Sequence, residues 1–67
     1  MNLKEARRLL EKKLIGLGFD ESSAQKAAHG FEQEYEGQEV FFAERWIIWK
    51  ARVIAQLKFM GGKHGMD

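Results

Sequence analysis

The sequence predicts an all-α protein: a small three-helix domain, homodimeric, in which one short stretch between helices 2 and 3 also reads as a strand. Three observations predict it. Leu3, Ala6, Leu10, Leu14 and Leu17 recur at helical spacing, Ala24, Ala27, Ala28, Phe31 and Tyr35 do so again, and "ERWIIWKARVIAQLKFM" is a third apolar run of helical length. Glycines punctuate the intervals at Gly18, Gly37 and Gly61-Gly62. Finally, 67 residues without a cysteine give room for one small core and no disulfide or thiolate zinc site to reinforce it. Chains of this size then depend on oligomerisation or on very efficient helix packing.

Helix 1 is expected over about 2–17. Asn2 can cap it, with Glu5 three residues on as the reciprocal partner of a capping box. Gly18 suits the left-handed position that ends a helix, and Phe19 can then fold back on Leu14. Helix 2 is expected over about 21–36, started by Asp20 or by Ser22 with Gln25, and ended by Gly37. Its narrow, mostly small stripe permits close approach of a neighbour, which accounts for Gly30 in mid-helix at a cost of about 1 kcal/mol.

"QEVFFA", residues 38–43, is rich in β-formers and too short for a helix. It is either an extended connector or a strand, in which case Val40, Phe41 and Phe42 pair with the same segment of a second copy. Helix 3 is expected over 43–60, stopped by Gly61-Gly62, with 61–67 as a flexible tail beyond a single domain of residues 1–60. At 100° per residue, Trp46, Trp49, Val53, Leu57 and Met60 share the arc expected to form the core, extended by Ile47 and Ile54. Ile48, Ala51, Ala55 and Phe59 lie on another side, and Arg45, Arg52 and Gln56 form a polar stripe. A helix apolar on two sides needs cover on two sides. The expected interaction surface is therefore Ile48, Ala51, Arg52, Ala55 and Phe59, with Arg45 at its rim.

Net charge is +1, too small for strong bulk attraction to nucleic acid or membrane. Its order along the chain is basic, acidic, basic: +3 over residues 1–18, −6 over 19–44 and +4 over 45–67. Lys4, Arg7, Arg8 and Lys12 are the candidate phosphate contacts, should the chain bind DNA. Helix 2 opens Asp-Glu and is acidic, so phosphates would repel it, and nucleic acid is not the favoured partner. Trp46, Trp49 and Phe59 alternate with Lys50, Arg52 and Lys58, as in membrane-surface helices, but the tryptophans fall on the expected core arc, so no membrane contact is expected.

Chemistry finds little footing. Ser22 and Ser23 stand about 10 Å from His29 by helical rise, and His29 with Glu32 or Gln33 offers fewer than the three ligands a catalytic zinc usually takes. No cofactor, metal site or enzyme activity is expected. The N-terminus has no apolar h-region, which with the missing cysteines predicts a cytoplasmic setting.

Two stretches resemble known families. "LIGLGFDESSAQKAA" looks like the first helix, Gly-Phe loop and second helix of ubiquitin-associated domains, which implies that Gly18-Phe19 could grip ubiquitin. "GFDESSAQKAAHGF", "YEGQEVFF" and "ARVIAQLKFMGGKHG" together resemble the N-terminal dimerisation region of the Mor/C family of phage transcription activators. That resemblance implies an intertwined dimer with Ala24, Ala28 and Phe31 in its core and Val40 to Phe42 on an inter-subunit strand. The helix-turn-helix of that family has no counterpart in these residues. The function expected is a non-enzymatic regulatory or adaptor protein of phage or prophage type. It would act as a homodimer through protein–protein contact with a partner of unknown identity, on an apolar face of helix 3. A Mor/C-type DNA-binding regulator and a ubiquitin-associated-like module are the alternatives.

Overall fold

The structure, a computed structural model, describes residues 1–64, with side chains described through Phe59. It contains three helices, α1 (Leu3–Gly16), α2 (Glu21–Tyr35) and α3 (Glu44–His64), and no strand among the described residues. The ends of α1 follow the local chemistry closely. Asn2 Oδ1 accepts from the Glu5 amide at 2.9 Å, and Glu5 Oε1 accepts from the Asn2 amide at 3.0 Å. At the other end Gly18 has φ 105°, the Phe19 amide donates to the Leu14 carbonyl and the Gly18 amide to that of Ile15. These are the two bonds of a Schellman stop.

Asp20 caps α2 through its backbone, its carbonyl accepting from the Ala24 amide at 3.0 Å. Its carboxylate makes no capping hydrogen bond. The Ser23 hydroxyl beside it nevertheless holds its pKa below the ordinary value, helped by the Ser23 amide and more weakly by Lys58, against a smaller opposing effect of desolvation. Ser22, the alternative start, lies inside the helix.

Both α2 and α3 pack on α1, and no Cα of α2 lies within 8 Å of a Cα of α3 among the described residues. One face of α1, the row Ala6, Leu10 and Leu14, is fully buried and serves both neighbours. Two helices can share one narrow face only if each comes close, so small residues must point inward. From α2 these are Ala24 and Ala28, with Phe31; from α3 they are Ala51 and Ala55, with Ile47.

The two sides expected of α3 hold only in part: Ile47 is buried, and Trp46 and Ile54 pack against the core as expected, but other residues exchange places. Ala51 and Ala55 are core residues and no part of an exposed surface, whereas Trp49 is 55% and Leu57 68% exposed. Large side chains at the α1 contact would hold the backbones apart, and alanines do not. Gly30 also differs from expectation. It is exposed, with open space where a Cβ would sit, so no close helix approach accounts for it.

Residues 38–43 form a connector that is neither helix nor strand within the single chain. The segment does find a backbone partner, in its own chain. The Phe42 amide donates to the Met1 carbonyl at 2.9 Å and the Met1 nitrogen donates to the Phe42 carbonyl at 2.7 Å. With its backbone held there, the Phe42 ring is buried, 5.3 Å from Phe31, 5.2 Å from Tyr35 and 5.7 Å from Trp46 between centroids. Phe31, which the Mor/C resemblance places in a dimer core, thus packs inside one chain.

Helix α3 continues through Gly61-Gly62 to His64. A helical glycine costs about 1 kcal/mol but does not forbid the helix. Of the expected flexible tail, residues 65–67 lie outside the described residues.

Candidate functional site

The outer side of α3 exposes two large apolar residues, Trp49 and Leu57. At 100° per residue Trp49 lies about 160° from the middle of the Ile47–Ala51–Ala55 face, which points it away from α1. Trp46 and Val53 are half-buried beside it and Leu57 follows a turn later, so the row runs at steps of three, four and four residues. The Trp46 and Trp49 rings are 6.4 Å apart. At the N-terminal end of the row the connector adds Phe41, 83% exposed, and Val40. A hollow of about 310 Å3 opens there between Tyr35, Phe41 and Trp46.

Cations stand on both shoulders of this ridge. Arg45 and Arg52, both exposed, flank one side, and the half-buried Lys50 flanks the other. Lys50 lines a groove of about 290 Å3 between α2 and α3 with Ala27, Phe31, Glu34 and Ile54. Glu44, in the first turn, is the one acid of the helix. The Arg7–Glu32 contact, Nε to Oε1 at 3.2 Å, is the only ion pair among the described residues. The buried Arg7 Nε makes no hydrogen bond, so the contact with the half-buried Glu32 is coulombic. No charge on α3 is held in an ion pair among the described residues.

The expected interaction residues separate into three places. Ala51 and Ala55 are in the core. Ile48 and Arg52 line a hollow of about 260 Å3 with Lys13, Gly16 and Leu17, where α3 passes the end of α1. Phe59 is 49% exposed but is latched to the α1–α2 loop: its ring meets Phe19 edge-on at 5.9 Å, and its Cζ would lie 3.7 Å from a Cβ at Gly18. Lys58 Nζ sits 4.3 Å above the same Phe19 ring. Phe19 is 6% exposed beneath these two residues.

On α1, Lys4, Arg8 and Lys12 are exposed in one row at i, i+4 spacing, while Arg7 turns toward α2. The tryptophan ridge was missed as a surface because periodicity ranks residues by size and apolarity. Its signal was the set of four alanines, 24, 28, 51 and 55, two on each of two helices that face a single leucine row. No protein-family model, curated protein or solved structure matches the chain.

Proposed function

We propose that the chain is a non-enzymatic regulatory or adaptor protein of phage type that works by protein–protein contact through the outer face of α3. One observation carries this reading: large apolar side chains, Trp49, Leu57 and Phe41, are outside while Ala51 and Ala55 of α3 face the core. Single exposed apolar residues are common, but a contiguous row flanked by charge is the pattern of a binding surface. The phage-type assignment rests on the sequence resemblance alone.

The sequence expects a second copy of the chain as occupant. Sedimentation at tens of micromolar tests that form: a dimer converted to monomer by Trp49→Asp supports it, and a wild-type monomer removes it. The reading of the face itself is tested by capture of a partner from host lysate. Capture should be lost with Trp49→Asp or Leu57→Asp and kept with Lys12→Ala; equal capture by all variants would overturn it. DNA binding keeps one supporting observation, the exposed Lys4–Arg8–Lys12 row. Salt-dependent retention on duplex DNA, abolished when those three are neutralised, would establish it.

A further inference from the structure

The charge around the ridge selects among occupants. Arg45 and Arg52 stand seven residues apart on one shoulder and Lys50 on the other. These are the positions that flank a helix–helix seam, where ion pairs set partner choice. Among the described side chains of α3, Arg45, Lys50, Arg52 and Lys58 are cationic and Glu44 alone is acidic. A second α3 laid on the ridge would bring these shoulders against like charge, which opposes self-pairing. The chain's own acidic helix cannot substitute, because the apolar residues of α2 are buried on α1 and its outer side, Ser22, Lys26, His29 and Gln33, is polar.

We infer that the Trp46–Trp49–Val53–Leu57 ridge docks an amphipathic helix of another protein, apolar along one stripe and acidic at the positions beside it. The inference rests on the reading of α3's outer face as the working surface. An anionic bilayer fits less well. A helix about 10 Å wide covers only the ridge and its shoulders, whereas a lipid surface would also meet acids on the same side: Glu34 in the adjoining groove, with the exposed Glu36 and Glu39 in the segment that leads to Phe41. The partner's apolar stripe would cover Trp49 and Leu57, and its carboxylates would reach Arg45, Arg52 and Lys50.

The test uses two synthetic helical peptides of about 20 residues that share a leucine stripe, one with glutamates beside it and one with lysines. Tryptophan emission of the full chain is followed at low and raised salt. The acidic peptide should shift the emission to the blue and bind at least roughly tenfold tighter than the basic one, with the difference shrinking as salt rises. Arg45→Glu with Arg52→Glu should reverse the preference, while Trp49→Ala should abolish both signals. Equal binding of the two peptides overturns the inference. So does a wild-type dimer that Trp49→Asp dissociates and that takes neither peptide, an outcome that leaves α3's outer face as a working surface. Binding to vesicles of three parts phosphatidylcholine to one of phosphatidylglycerol, without binding to the acidic peptide, overturns it in favour of lipid. No peptide response, no vesicle response and no self-association would sink the reading of the face as well.

Discussion

Ile47→Ala and Leu57→Ala should separate the inside of α3 from its outside. Both substitutions delete three carbons from a helical residue, so apart from a few tenths of a kcal/mol of helix propensity they differ in what surrounds the side chain. Ile47 is fully buried. At about 0.8 kcal/mol per buried methylene the transfer loss is near 2.4 kcal/mol, and the residual cavity raises the total to about 3 kcal/mol, within the usual range for such truncations. Leu57 is 68% exposed, so only about a third of the transfer loss applies, roughly 0.8 kcal/mol. A domain of 67 residues has a total stability of about 3–10 kcal/mol. Ile47→Ala therefore removes a third or more of it. The melting temperature should fall by about 12–24 °C for Ile47→Ala and about 3–6 °C for Leu57→Ala. Urea and thermal unfolding followed by far-UV circular dichroism, run at several protein concentrations, measures both. Self-association would show as a concentration-dependent midpoint. Equal losses at a concentration-independent midpoint would refute the reasoning and put the Trp49–Leu57 side in the core.

Two further outcomes follow from the loops and the caps. Gly18→Ala should destabilise by about 1–2 kcal/mol, because φ 105° strains an L-residue even though the space for a Cβ is ordinary; Gly30→Ala, in open space on α2, should instead stabilise by about 0.5–1 kcal/mol, and denaturant midpoints of equal sign for the pair would contradict this. Asp20 has its pKa lowered in the fold, so its stabilisation is complete above the ordinary value of 3.8 and is lost as pH falls through the lower folded value. Asp20→Asn should remove that part of the acid slope, and wild-type and variant stability curves that stay parallel below pH 3.8 would refute it.

What could be read from the sequence was whatever neighbouring residues decide among themselves. The Asn2–Glu5 box and the Gly18 stop involve atoms within a few residues of each other, so their geometry follows from residue type and spacing. The partner of Phe42 could not be read this way, because it is Met1, at the other end of the domain. The inward side of α3 was hidden for a related reason. Apolar residues on almost every side leave the helical period degenerate, and the choice then falls to the shape of α1. Three leucine-row residues shared by two helices favour Ala51 and Ala55 over Trp49 and Leu57. Size, the property that made Trp49 look like a core residue, keeps it off the α1 contact, while Trp46 packs at the core's edge against Phe31 and Phe42.

That exclusion has a functional consequence. Ile47 and Trp49 are two residues apart, yet they point in nearly opposite directions, one into α1 and one away from it. A helix arranged this way can change its binding face without changing its fold, since the ridge contributes little to the α1 contact. In a chain this small the reverse arrangement, tryptophans inside and alanines out, would leave α3 with little outside to bind with. The inward alanines therefore permit close packing on α1 and leave Trp49 and Leu57 exposed, the surface the proposed partner would cover. Substitutions at Trp49 should then act on association with folding nearly intact, and substitutions at Ile47 on folding first.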